Sequence, residues 1–324
     1  MAPPAVLLRS WLRLERRVQG FSPLDRLTVV YVACTTGILL AHVAGWRQER
    51  PNPVEAGWLL AANALLCVAV LVAPRARAVR KHSFLAEWYV PFVVSALYAA
   101  IGLLNGSPLV VDTSFDHVVQ HWEFVVFGQQ LAYTWGRVMP SVALSWFLGL
   151  CYLAFYFVVI IGPAVLWAVG RRAASRQAIY AIVLSFFACY LVFLLFPVGG
   201  PPYFWSWPTG PGNDAWPVRV ARQIIEGQDS FGTAFPSSHV AAALTAAIFA
   251  YRGWRPLGLA LLVPALGIIA AVVYLQIHYG VDALAGILVA ILVTLVTPRL
   301  CPATAPLGHA EMCGADEDAA GAAR

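Results

Sequence analysis

Two histidines and an aspartate carry most of the chemistry this chain can offer. Only 11% of its 324 residues are charged, and the last long apolar stretches hold few ionisable groups beyond His239, His278 and Asp282. Such a group in or beside an apolar span is costly to bury, which makes each a candidate for function. The 38 residues between the two histidines suffice for one membrane crossing, a short turn and a return. Both imidazoles therefore reach the same boundary at similar depth. Asp282 follows His278 by four positions, one turn if the helix continues, so its carboxylate can orient that imidazole and strengthen it as a nucleophile. Two imidazoles and a carboxylate suit phosphoryl chemistry: one imidazole attacks phosphorus, the other protonates the departing oxygen, and the carboxylate holds the attacker. The alternative for the same residues is a polar cluster joining two helices, or a proton relay in a transporter.

The segment before His239 sharpens the first reading. Phe235-Pro236-Ser237-Ser238-His239 precedes an alanine-rich run, with Ser237 placed as an N-cap. A helix start offers free N–H groups and the positive end of the helix dipole, a natural seat for phosphoryl oxygens.

The elements that must position these residues are membrane helices. The chain is 60% hydrophobic with a mean hydropathy of +0.72, whereas soluble domains carry about 25% charged and roughly 45–50% apolar residues. This excludes an ordinary cytosolic enzyme, a disordered chain and a secreted disulfide scaffold. The net charge of +5 does not point to nucleic acid, because no basic stripe runs beside stacking aromatics. The six cysteines show no CxxC spacing, so a structural zinc site is not expected.

The fold class expected is therefore all-α, a polytopic membrane helical bundle. A crossing needs about 20 apolar residues, and eight stretches qualify, roughly 27–46, 56–74, 88–104, 141–169, 177–197, 237–251, 256–277 and 280–297. About six form the catalytic bundle. With the N-terminus inside, 16 of the 21 basic residues fall on inner segments, leaving Arg47, Arg50, Arg137, Arg219 and Arg222 outside. Both termini are then cytoplasmic, and both histidines sit at the non-cytoplasmic face, periplasmic or lumenal. Residues 1–104 read as a basic segment with three accessory spans, 105–299 as the catalytic membrane domain and 300–324 as a disordered tail. Within 105–140, Phe115, Val118, Val119, Trp122 and Val126 alternate with Asp116, His117, Gln120, His121 and Glu123, the pattern of an amphipathic helix in the outer interface with its polar residues solvated. Residues 198–236 read as irregular, with Trp205, Trp207 and Trp216 in the headgroup layer.

Pro236-Ser237-Ser238-His239 resembles the second signature of the type 2 phosphatidic acid phosphatase superfamily, and His278-Tyr279-Gly280-Val281-Asp282 with Ala285-Gly286 resembles its third, HxxxD. The resemblance covers roughly residues 177–297. It implies His278 as nucleophile, Asp282 as its orienting partner, His239 as general acid, Ser237 and Ser238 on the phosphoryl oxygens, and no metal or other cofactor. The family's first signature, KxxxxxxRP, should fall near 194–203, where Pro202 stands in place of its arginine. Val272 stands where the third signature has another. Arg219 and Arg222 are the nearest substitutes in the same loop. A phosphate dianion buried without partners costs several kcal/mol, so the gap favours a singly charged diester. Phe231-Gly232-Thr233-Ala234-Phe235-Pro236-Ser237-Ser238-His239 is similar to the FGxFPSxH form of inositol phosphorylceramide synthases, and Arg171-Arg172 with Tyr180 to a spacing of sphingomyelin synthases. That branch implies transfer of a phospho-head group between membrane lipids through a phosphohistidine. The runner-up is hydrolysis of phosphatidate or polyprenyl phosphates.

Overall fold

Backbone groups in hydrocarbon must be hydrogen-bonded within the chain, and a helix does this by itself. The computed structural model describes residues 21–45, 53–79, 84–105, 114–228 and 230–303, and β-type pairing among them is confined to one isolated bridge, Val198 to Thr233. The basic N-terminal residues Arg9, Arg13, Arg16 and Arg17, the loop residues Arg47, Arg50, Arg80 and Lys81, and the tail from position 304 lie outside the described residues.

The described helices are α1 (Pro23–Val43), α2 (Pro53–Val79), α3 (Phe84–Asn105), α4 (Asp116–Phe127), α5 (Leu131–Val138), α6 (Val142–Leu153), α7 (Phe155–Ala168), α8 (Arg172–Leu195), α9 (Trp216–Gln228), α10 (Ser238–Gly253), α11 (Arg255–Tyr274) and α12 (Gly280–Leu300). This is an all-α polytopic bundle, as the composition requires. Five of these helices are long and apolar enough to cross a membrane. The expected single span over 141–169 is instead α6 and α7, bent by 47° and counting as a sixth if taken together. The stretches 88–104 and 237–251 also form helices. With 16 residues, however, α10 is roughly 24 Å long, short of a hydrocarbon core of ~30 Å. Among the described residues five to six crossings qualify by length and composition, against eight expected stretches.

Helix α10 is the post around which the bundle is built. It packs on α7, α8, α11 and α12, and Ala241, Ala242, Ala243, Ala246, Ala247 and Ala250 are buried along it. Small side chains let neighbouring backbones approach closely, which is how helices associate where lipid offers no hydrophobic drive. The Ser185 and Thr245 hydroxyls meet at 3.0 Å between α8 and α10. On its other side α8 carries the N-terminal helices, with Tyr31 stacked on Phe187 at 3.9 Å.

Two expectations for the connecting segments change. Residues 198–236 are not irregular throughout: Val218, Ala221 and Ile225 recur at helical spacing and are buried on α9. The amphipathic helix over 116–127 forms, but its polarity is inverted in part. Asp116 and Glu123 are buried while Phe124, Val125 and Val126 are exposed; His117 and His121 are exposed as expected. The inversion follows from backbone N–H groups beneath the helix that need acceptors.

A close junction joins the starts of α10 and α12. A Cβ added at Gly286 would lie 2.6 Å from the Ser237 carbonyl oxygen and 3.0 Å from the Val240 Cβ. Gly286→Ala should therefore force the two helices apart and destabilise the fold by about 1–3 kcal/mol. Thermal unfolding in detergent checks this, and a midpoint equal to that of the wild type would contradict it.

Candidate active site

His278 lies in the link between α11 and α12, not within a continuous helix as the HxxxD spacing allowed. The chain reverses there: the N–H groups of Ile277 and His278 both return to the Val272 carbonyl, at 2.9 and 2.8 Å. Gln276 takes a left-handed backbone with φ of 63°, which costs a non-glycine residue roughly 1–2 kcal/mol. Its side chain is anchored on both sides, accepting from Arg137 at 2.6 Å and donating to the carbonyls of Trp205 and Ser206. Tyr279 then caps α12, and the Asp282 Oδ2 accepts its N–H at 2.8 Å. The same oxygen faces His278 Nδ1 at 3.5 Å. Asp282 thus reaches His278 by folding back across a helix start. His278 is only 4% exposed and Asp282 fully buried.

His239 enters from α10. Ser237 caps that helix as the sequence predicts, its Oγ accepting the Val240 N–H at 3.4 Å, and its own N–H donates to the Asp282 carbonyl at 3.0 Å. That bond sets the two helix starts side by side and brings His239 Nδ1 to 3.4 Å from His278 Nε2. The structure therefore brings together His239, His278, Asp282 and Ser237. Ser238 is buried beside them at the first position of α10. An imidazole with a carboxylate at Nδ1 presents its Nε2 lone pair, and a second imidazole beside it can move a proton. The sequence reading missed Tyr152, whose hydroxyl lies 3.4 Å from His239 Nε2, and Phe155, whose ring is 4.5 Å from that of His239. Both come from the α6–α7 bend, and no spacing rule connects them to α10.

Arg219 and Arg222 are not drawn to the histidines by any hydrogen bond in the described residues. Arg219 is exposed on α9. Arg222 donates to Asn213 and lies over the Trp207 ring at 5.1 Å. Burial lowers its guanidinium from the ordinary value, while Asp214 and Glu226 raise it and Arg137 lowers it further, so its charge already has acidic neighbours. Arg137, through Gln276, is the cation tied to the His278 link. Among the described residues no three His, Cys, Asp or Glu side chains group to hold a metal ion.

Two buried carboxylates brace this end of the bundle. Asp116 accepts the N–H groups of Gly199 and Gly200 at 2.7 and 2.8 Å and the Tyr279 hydroxyl at 3.0 Å. Gly200, at φ of 95°, supplies the left-handed backbone that aims its N–H at the carboxylate. Glu123 accepts from Gly280 and Val281 at 3.0 and 2.9 Å, the first residues of α12. Burial pushes its carboxyl up from the ordinary range, against hydrogen bonds from Gly280, Val281, Ala132 and Leu131 that pull it down. The carboxylate thus caps α12, where free N–H groups and the helix dipole favour negative charge.

An apolar cavity of about 520 Å³ opens on His239. It runs between α3, α7, α8 and α9, with Tyr98, Phe155, Ile182, Val183 and Phe186 in its wall and no Asp, Glu, Lys or Arg among its described lining residues.

Fold and site together define a multi-pass integral membrane protein with a histidine–aspartate cluster, of which His239 lines an apolar cavity. Residues 117–296 match the family model of the PAP2 superfamily, just over half of the 324-residue chain, and the chain belongs to that superfamily. Members of this superfamily are phosphatases and phosphotransferases, and a lipid phosphatase or phosphotransferase is the activity that membership supports. The match takes in every residue of the site and stops short of α3, which nevertheless walls the cavity. No curated protein and no solved structure matches the chain.

Removing the Glu123 carboxylate strands two buried N–H donors at the start of α12. Glu123→Ala should cost roughly 2–4 kcal/mol of stability, and Glu123→Gln, which keeps one acceptor oxygen, distinctly less. Denaturation in detergent micelles measures both, and equal stability of all three proteins would show that the carboxylate braces nothing.

Proposed function

We propose that the protein transfers a phospho-head group from one membrane lipid to another, at the non-cytoplasmic face, through a phosphohistidine-type intermediate on His278. His278 Nε2 attacks the phosphorus of a phosphodiester, forming a P–N bond as the P–O bond to the departing lipid alcohol breaks. His239 gives that oxygen a proton, and Asp282 stabilises the positive charge that develops on His278. The head group stays on phosphorus. An acceptor lipid's hydroxyl then attacks, loses its proton to His239 and displaces His278. Ser237 and Ser238 at the start of α10 offer hydroxyl and N–H groups to the phosphoryl oxygens.

The cavity that opens on His239 carries this reading. The group that protonates the leaving oxygen lines it, so the alcohol to which that oxygen belongs has a hydrocarbon chain. The lining is as apolar as the bilayer such a chain would leave, and it admits an acceptor of the same kind while excluding water. The scarcity of cations supports a diester: Pro202 and Val272 occupy the places of two family arginines, Arg219 is exposed and Arg222 is partnered. The count of 16 basic residues on one side supports the topology. Hydrolysis of a phosphate monoester would use the same three residues with water as acceptor.

Purified protein given a lipid phosphodiester labelled in its head group, with ceramide, diacylglycerol and water competing as acceptors, separates these readings by thin-layer chromatography of the products. Label moving to a lipid alcohol in proportion to acceptor is expected, as is loss of about 10³-fold or more in turnover for His278→Ala. Free phosphate released from a monoester without acceptor dependence would overturn the transferase reading, and undiminished turnover by the variant would overturn the assignment of His278.

A further inference from the structure

The two imidazoles differ in their outer partners. His278 Nδ1 faces the Asp282 carboxylate at 3.5 Å, His239 Nε2 faces the Tyr152 hydroxyl at 3.4 Å, and the two inner nitrogens face each other at 3.4 Å. Tyr152, His239, His278 and Asp282 thus form one line of polar groups with an acceptor-only carboxylate at one end. That carboxylate favours a proton on His278 Nδ1 and leaves Nε2 with its lone pair. A phenol hydroxyl is different: it can donate or accept, and it is neutral. It can stay bonded to His239 whether that ring is charged or not, without holding the charged form as a carboxylate would. Attacker and proton carrier are thereby made unlike although both are imidazoles.

We propose that Tyr152 is a positioning residue for His239: its hydroxyl holds the Nε2–H, so that Nδ1, the nitrogen turned toward His278, gives the proton to the leaving oxygen and takes one from the incoming hydroxyl. This rests on the phosphoryl-transfer reading above. In the first half-reaction the P–N bond to His278 forms, the P–O bond breaks, and the electron pair on the released oxygen takes the proton from His239 Nδ1. His239 is left neutral with its remaining proton on Nε2, bonded to Tyr152. In the second half-reaction the acceptor's hydroxyl returns a proton to Nδ1. The packing fits this duty. Tyr152 is buried on α6 with its ring 5.4 Å from that of His239, and Phe155, just past the bend, also lies against the His239 ring. Both also line the cavity, so the positioned ring stands where the alcohol oxygen must arrive.

The test is Tyr152→Phe, which keeps the ring and removes the hydroxyl, assayed in the purified full-length protein with two donors. One is a lipid phosphodiester, whose alkoxide must be protonated to leave. The other is a p-nitrophenyl phosphodiester, whose phenolate leaves without a proton. The variant should lose about 10- to 100-fold in kcat on the lipid donor with little change in KM, while its first-turnover release of nitrophenolate, which precedes the acceptor's deprotonation, should stay within about twofold of wild type. Unchanged kcat on the lipid donor, or equal losses on both donors as structural damage would give, overturns the assignment. If the wild-type protein turns over neither donor, the phosphoryl-transfer reading falls and the role of Tyr152 with it.

Discussion

One backbone hydrogen bond, from the Ser237 N–H to the Asp282 carbonyl at 3.0 Å, fixes the starts of α10 and α12 against each other, and the site depends on that junction. Each helix start carries one half of the chemistry: Ser237 and His239 on the first, Asp282 and the link bearing His278 on the second. The bond is worth only about 1 kcal/mol net, but an unpaired backbone group in the same apolar place would cost roughly 1–3. Gly286 permits the approach, and the alanines of α10 extend it along the bundle. Once the junction is set, the 3.4 Å meeting of the imidazoles needs no further adjustment by the rest of the chain.

Charge in this protein is placed where backbone donors converge. Among the described residues Glu123 and Asp116 are buried carboxylates without a buried cation on either, and their partners are N–H groups and a tyrosine hydroxyl. Such a carboxylate does what a bound anion does at a helix start, with the difference that it is covalently part of the scaffold. The cavity, by contrast, has no Asp, Glu, Lys or Arg among its described lining residues. The same end of the molecule thus combines a frame braced by buried hydrogen bonds with an apolar chamber, and His239 borders both.

How much of this was legible in the sequence depended on what lies around each residue. The histidines and Asp282 were legible because an ionisable group in an apolar run has few explanations, and Ser237 because N-caps follow local rules. The burial of Asp116 and Glu123 was not. Periodicity identifies the two faces of a helix, but in a membrane protein the apolar face can look toward lipid and the polar one inward, so the rule for soluble proteins assigns α4 the wrong way round. Helix α9 was readable from Val218, Ala221 and Ile225, and was hidden by the prolines, glycines and tryptophans that flank it. Tyr152 and the pairing of Arg137 with Gln276 join residues 87 and 139 positions apart. Contacts of that kind follow from the bend between α6 and α7 and from the path of the link after α11, neither of which leaves a local pattern. Arg219 and Arg222 were chosen by proximity in sequence, and α9 points one to solvent and pairs the other.

The central claim is that His278 becomes covalently bonded to phosphorus. Rapid quenching of the protein with a donor lipid labelled at phosphorus, followed by peptide mass spectrometry under alkaline conditions that preserve P–N bonds, tests it most directly. The account predicts an acid-labile phosphoryl adduct on the peptide containing His278, discharged when acceptor lipid is added. Turnover with no labelled protein, or label on any other residue, would contradict it.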